Sequence, residues 1–501
     1  MLNTKFLTRC GAALCAALLH GAPAYAAGSC QYVQLAKLPI HYRGAGLEIT
    51  VDGRINGKPA TMLADTGAYA ILLTAPGAEA FQLKRREAFE YAIGVGGRSD
   101  MHEAYLDEFS IGGTRPAKGW ARVVEDMGEK PPYDAIAGVP FLMQTDLEVA
   151  LADKELRFFQ ASGCDDAFLA YWDRNAVKIP YRRQGAPWPV FSIEINGNLM
   201  SAIIDTGTTA STITAYAARK FGLATSKPDP KELSYTTGGG TRRVPTWITH
   251  TQSIKIGGET ILDADIQVID DRGRSDVDVI LGADFLRAHR VLFAISQQNI
   301  YLSYLGGDVF MPRATIEPWM RKEAENGNPD AQMRLARHYL HGKGVARDEV
   351  QAQVWLDKAA ALGHVEANLT DGYRKLKAER YADAASRLQA VLAKTDDGRF
   401  EALALYRARV GSGQQALGAE ELAARFARFD KAAWPAPIAE YFLGHIDGTR
   451  LQALAAADAD FARERGCDAL DEMTGLHLAQ GNAAAAEPFK AAWNKSCATA
   501  P

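Results

Sequence analysis

The feature that most constrains this chain is an internal repeat. "MLADTGAYA" (62–70) and "AIIDTGTTAS" (202–211) each drive a carboxylate in behind an apolar strand, and the two Asp-Thr-Gly triplets lie 140 residues apart. Asn56-Gly57 and Asn196-Gly197 keep the same interval and read as tight hairpin turns between alternating strands. "FSIGG" (109–113) matches "IKIGG" (254–258), and "AIAGVPFL" (135–142) matches "VILGADFL" (279–286). Each half closes on a β-like run, "LEVALADKELRFF" (147–159) and "VLFAISQQNIYLSY" (291–304). One Asp-Thr-Gly arises by chance about once in several thousand positions and alone reads as a loop. Two copies inside an ordered series of matches read as a duplicated β domain.

The N-terminus reads as a processing signal. Lys5 and Arg9 precede the apolar run "CGAALCAALL" (10–19), and "APAYAAGSC" offers small residues for cleavage after Ala26 or Ala27. Residues 1–26 are therefore expected to leave, and the mature protein to be periplasmic or secreted. No other segment is apolar enough to cross a membrane, which predicts no integral membrane segment once the signal is removed. The formal net charge of −4 gives no electrostatic footprint for nucleic acid. Cys30, Cys164, Cys467 and Cys497 remain after processing. In an oxidising compartment they allow three connectivities, and their spacings favour the pairs 30–164 and 467–497. No CxxC or HExxH occurs, so neither a metal nor a cofactor is expected.

The order apolar–apolar–Asp-Thr-Gly, glycine-rich hairpin, apolar–apolar–Gly resembles the aspartic proteases, both retroviral-type and pepsin-type. The last element is Ile136-Ala137-Gly138 in one half and Ile280-Leu281-Gly282 in the other. "ILGADFL" in particular resembles bacterial retropepsin-like proteins, and the resemblance covers about residues 35–305. Ala137 and Pro140 stand where Leu281 and Asp284 stand, a departure in the first half. The resemblance implies that Asp65 and Asp205 form a catalytic dyad, since two carboxylates held close share one proton and can act as acid and base together. It implies that Thr66 and Thr206 cross-bond the two loops and that Gly67 and Gly207 bring backbone amides to the carboxylates. It places Ala68 and Thr208 beside the outer carboxylate oxygens. A Thr208 hydroxyl donating there would leave Asp205 the more often ionised and Asp65 the more often protonated. "YAIGVGG" (91–97) and "YTTGGG" (235–240) are the candidate flaps, with Tyr91, Gly94, Tyr235 and Gly238 as their marked residues. In the resembled fold the strand ends next to Cys30 and Cys164 come together.

After "GGDVFMPRATIEP" (306–318) β-branched residues thin out and alanine rises. Trp319, Lys322, Ala324, Gly327 and Ala331 recur 36 residues on as Trp355, Lys358, Ala360, Gly363 and Ala367. Ala331, Leu335 and Tyr339 lie at helical spacing, and "HGKGVARD" (341–348) breaks the run. This resembles Sel-like repeats, relatives of tetratricopeptide repeats, over residues 319–369, with looser tetratricopeptide character beyond 370. Such helix pairs stack into a solenoid, and Trp319, Tyr339 and Trp355 read as its packing residues.

The expected architecture is an all-β duplicated aspartic-protease-like domain followed by an all-α helical-repeat solenoid. The halves are placed at 27–165 and 166–306, the linker at 307–318, where a hinge is predicted, and the repeats at 319–501. The leading function is an exported aspartic endopeptidase acting on a peptide or protein substrate, with the repeats docking a protein partner. A non-catalytic peptide-binding or scaffold protein of the cell envelope is the alternative. A serine or cysteine hydrolase is weaker, because no Gly-x-Ser-x-Gly elbow occurs.

Overall fold

The computed structural model describes residues 30–183, 185, 187–223, 233–270, 277–310 and 316–498. The signal-peptide segment and residues 311–315 of the expected linker lie outside the described residues. The first half runs through β1 (Gln31–Arg43), β2 (Glu48–Ile55), β3 (Lys58–Ala64), β4 (Leu72–Thr74), β5 (Arg85–Gly94), β6 (Gly97–Ile111), β7 (Ala117–Val124), β8 (Ala135–Ala137), β9 (Asp146–Ala150) and β10 (Glu155–Ser162). The second half repeats the series as β11 (Val177–Pro180), β12 (Phe191–Ile195), β13 (Asn198–Ile204), β14 (Thr212–Thr214), β15 (Ser234–Thr236), β16 (Val244–Ile256), β17 (Glu259–Ile269), β18 (Val279–Leu281), β19 (His289–Ala294) and β20 (Asn299–Tyr304).

The turn chemistry explains the hairpins. Asn56 and Gly57 both take positive φ (46° and 76°), as do Asn196 and Gly197 (49° and 80°), which is the geometry a two-residue hairpin needs. Each asparagine also works through its side chain. Asn56 Oδ1 accepts from the Asp107 and Glu108 amides, and Asn196 Oδ1 accepts from the Gln252 and Ser253 amides. The β2–β3 and β12–β13 turns are thereby tied to the long strand that follows.

In each half a short strand threads between the two strands that flank the Asp loop. β8 pairs parallel with β3 and antiparallel with β4, and β18 does the same with β13 and β14. Buried on both faces, these strands are purely apolar: Ala135-Ile136-Ala137 and Val279-Ile280-Leu281. The closing runs join the halves, since β19 of the second pairs with β9 of the first, while β1 and β10 pair within the first half. The Cys30–Cys164 bond extends the β1–β10 ladder beyond its Gln31–Ser162 pair. A second bond, Cys467–Cys497, ties helix Ala462–Ala479 to the end of helix Ala483–Ser496. Both expected pairings are present, and two disulfides point to an oxidising, extracytoplasmic setting.

Among the described residues, four short α-helices sit in the β region: α1 (Ala75–Ala80), α2 (Val139–Leu142), α3 (Ala215–Lys220) and α4 (Ala283–Ala288). The helical region opens with α5 (Pro318–Glu325), α6 (Pro329–His341) and α7 (Glu349–Ala361), and further helices continue to Ser496. Asn328 caps α6 by accepting from the Asp330 and Ala331 amides, and Gly342 ends it at φ 64°. The predicted hinge is not what joins the two regions. Trp319 lies 3.6 Å over the Arg287 guanidinium of α4 and 5.3 Å from the buried Tyr42 ring of β1. Lys154 pairs with Glu323 at 2.6 Å, and Asn328 Nδ2 donates to the Tyr42 carbonyl at 3.0 Å. Met320, Ala324, Ala331 and Leu335 belong to the same apolar core as the strands. An amphipathic helix pair cannot bury its face alone, and here the β region supplies part of the cover.

Candidate active site

The strands β3 and β13 deliver Asp65 and Asp205 to two loops that face one another. The Asp65 amide donates to the Ala137 carbonyl at 3.1 Å, and the Asp205 amide to the Leu281 carbonyl at 2.8 Å, so β8 and β18 hold each loop from below. The loops then grip each other. The Thr66 amide donates to Thr206 Oγ1 at 3.1 Å and the Thr206 amide to Thr66 Oγ1 at 3.0 Å. Each hydroxyl in turn donates to a carbonyl of the opposite strand: Thr66 Oγ1 to Ile204 at 2.9 Å, and Thr206 Oγ1 to Ala64 at 2.6 Å. Both threonines are buried, and every polar atom in the grip is partnered.

The grip sets the carboxyls side by side, close enough for one amide to reach both. The Gly67 amide donates to Asp65 Oδ1 at 2.8 Å and to Asp205 Oδ1 at 3.1 Å, and the Gly207 amide donates to Asp205 Oδ1 at 2.8 Å. Only glycine fits at these two positions. A Cβ on Gly67 would lie 2.5 Å from Asp205 Oδ2, and one on Gly207 would lie 2.4 Å from Asp65 Cγ.

Burial is the largest cause holding both carboxyls above the ordinary carboxylate range. Asp65 is pushed well above it, because the charge of Asp205 and the hydrogen bond to it add to burial. On Asp205 the Gly207 amide, the bond from Asp65 and the Gly67 amide all pull the other way. Two carboxyls this close titrate as a unit. Thr208 does not donate to them. Its hydroxyl donates to the Ala210 carbonyl of its own loop at 3.3 Å.

The dyad forms part of the lining of a cavity of about 270 Å³. Its cover comes from both candidate flaps, the β5–β6 hairpin and the loop between β15 and β16. Gly94, Val95, Gly238 and Gly239 line it. The two tips touch: the Arg242 amide donates to the Gly96 carbonyl at 3.1 Å, and a Cβ on Gly94 would meet the Gly239 carbonyl oxygen at 2.5 Å. Tyr91 and Tyr235 are not among the lining residues. Strand alternation turns Ala92 and Thr236 toward the cavity and the two tyrosines outward, where Arg98 and Arg243 cover their rings. Sequence reasoning passed over Tyr69, Met127, Tyr133, Thr212 and Gln267, which also line the cavity. Burial, followed by the charge of Asp65, raises the Tyr133 phenol. A signal for this wall was present, because Asp134 and Asp278 repeat in register. Their carboxylates accept from the Thr61 and Ser201 amides, each at 2.9 Å, and position the strands next to the cavity.

The halves also differ beneath the loops. In the second, Asp284 Oδ1 accepts from the Ser211 amide at 2.8 Å and from its hydroxyl at 2.6 Å, while Ser211 Oγ accepts from the Gly282 amide at 2.9 Å. In the first, Pro140 stands in place of Asp284, and no such latch is possible.

A duplicated β region with an Asp-Thr-Gly loop from each half defines an aspartic-protease-like protein. The family matches agree. Residues 51–144 and 191–288 each match the family described as "gag-polyprotein putative aspartyl protease", and residues 329–364, spanning α6 and α7, match the Sel1 repeat. The aspartic proteinase from Irpex lacteus is a similar solved structure, at 14% identity over 54% of this chain and 97% of that one, with a TM-score of 0.34. No curated protein matches the chain significantly. The β region thus carries one match to this family in each half and has an aspartic-protease-like fold, and the helical region that follows carries a Sel1 repeat match.

Proposed function

We propose that this protein is an exported aspartic endopeptidase in which Asp65 and Asp205 activate a water against a peptide carbonyl. The observation that carries the reading is the close carboxyl pair, held by the crossed threonines and bridged by the Gly67 amide. Asp205, the ionised partner, takes a proton from the water as its oxygen attacks the carbonyl carbon. Asp65 gives its proton to the carbonyl oxygen, and a neutral tetrahedral diol results. Asp205 then passes its proton to the departing nitrogen while ionised Asp65 takes one from a diol hydroxyl, and the C–N bond breaks to leave a carboxylic acid and an amine. Burial supports the scheme, since two close carboxyls in a poorly solvated site cannot both ionise near neutral pH. The glycine tips would part to admit a chain and close over it, excluding bulk water.

The halves at 27–165 and 166–306 would act as one enzyme, and the repeats from 319 as a module for a protein partner. Export rests on the N-terminal signal and fits the two disulfides. A statine-type peptide tests the reading, because its tetrahedral hydroxyl mimics the diol. Saturable binding that weakens at least tenfold in Asp205→Asn is expected, and equal binding by wild type and variant would count against the dyad.

A further inference from the structure

The register of the two halves allows the cleft to be compared with itself. β4 pairs with β7 and β14 with β17, so Leu72 in the first half corresponds to Thr212 in the second. The Met101–Val124 and Thr246–Ile269 pairs then align β6 with β16, which sets Ala92 of β5 opposite Thr236 of β15. Ala68 and Thr208 correspond through the Asp-Thr-Gly loops. All six residues of these three pairs line the cavity. At each, an apolar side chain in the first half is replaced by threonine in the second.

The neighbours sharpen the difference. The first half adds Leu63, Val124, Met127, Tyr133 and Ile136, and Leu63, Leu72, Val124 and Ile136 form one apolar cluster with Met101. The second half keeps Ile269 and Ile280 as the counterparts of Val124 and Ile136, has no lining counterpart of Leu63, and adds Thr237 and the carboxamide of Gln267. Gln267 Nε2 donates to Thr246 Oγ1 at 3.2 Å, which fixes the amide and leaves Oε1 without a hydrogen bond to a described residue. The Thr212 hydroxyl likewise makes no hydrogen bond to a described residue. Apart from the dyad, no charged residue lines the cavity among the described residues.

We infer that the cleft has two chemically unlike subsites, so that substrates present a large apolar side chain to the first half and a neutral hydrogen-bonding one, carboxamide or hydroxyl, to the second. The inference rests on the peptidase reading for the placement of a scissile bond between them. An apolar side chain facing Thr212 and Gln267 leaves their polar atoms unpaired once water is displaced, and this discriminates more sharply than a change in pocket size. An ionised side chain finds no counter-charge there.

The test uses peptides with every pairing of Leu, Met, Phe, Asn, Gln, Ser and Thr at the two positions flanking one bond. The mature full-length protein is assayed for cleavage. Non-cleavable reduced-bond versions of the same peptides are titrated calorimetrically, so the preference is read even if no bond is cut. Failure to cut then counts against the peptidase reading alone. The expected result is an apolar preference on one side and an Asn, Gln, Ser or Thr preference on the other. In Thr212→Val with Gln267→Met, both nearly isosteric, the ratio of polar to apolar peptides on the second side should fall at least tenfold while the first side keeps its preference. Equal apolar preference on both sides in wild type, or a ratio unmoved in the variant, would overturn the inference.

Discussion

At the scale of residues, the Asp pair couples the proposed chemistry to stability. Both carboxyls are raised, so the folded chain holds their protons more tightly than the unfolded chain does. That contribution is fully present below the unfolded carboxylate range, at about pH 4, and is lost as pH rises through the folded values. Asp65→Asn removes a group that must otherwise be kept neutral or ionise in an enclosed site. Its Tm should exceed that of wild type at pH 7, with the gap closing below about pH 4. A gap that widens toward acid would show that the pair is not raised. The sequence pointed to Thr208 as the source of dyad asymmetry, but its hydroxyl is engaged by Ala210 within the loop. Thr208→Ala should therefore leave the acidic limb of any pH–rate profile in place, and an upward shift would restore the hydroxyl to that role.

At the scale of elements, the repeat in the sequence and the repeat in space coincide closely. The Asn-Gly turns, the Asp-Thr-Gly loops and the short apolar strands β8 and β18 are all local patterns, set by turn chemistry and by burial on both faces, and they were legible. The cavity walls were not, because their residues come from strands far apart in sequence and only pairing register brings Leu72, Val124 and Met101 together. Strand alternation likewise decided against Tyr91 and Tyr235 and in favour of Ala92 and Thr236. The Ser211–Asp284 latch shows how one departure between the halves becomes structural. Asp284→Ala leaves the Ser211 amide unpaired beneath the Asp205 loop and should cost about 2–4 kcal/mol, as expected for buried bonds to a carboxylate. Pro140→Ala in the first half removes no such bond and should cost less than about 1 kcal/mol beyond the proline effect on the unfolded chain. Urea unfolding of both variants measures the difference, and equal costs would deny the latch its role.

At the scale of the whole molecule, composition separates a β region from a helical one and suggested a free joint between them. Packing joins them instead, through Trp319 against Arg287 and Tyr42 and through Met320, Ala324 and Leu335 in the shared core. Nothing in the helical periodicity of residues 318–341 reveals that one face meets a sheet rather than another helix. A chain ending at residue 310 should lose more than about 3 kcal/mol of stability, the order expected from uncovering a few side chains of this size. A truncated chain that melts with the full-length protein would mean that this seam contributes little.

The central claim is that Asp65 and Asp205 act as one acid–base unit on a peptide bond. It is tested most directly by incubating the purified mature protein with an unstructured peptide library from pH 3 to 7 and identifying new termini by mass spectrometry. Asp65→Asn and Asp205→Asn are run beside it. Cleavage by wild type alone is expected, with each variant down by more than about a thousandfold and folded by circular dichroism. Cleavage by Asp205→Asn at a near wild-type rate would contradict the account, as would no cleavage by wild type at any pH.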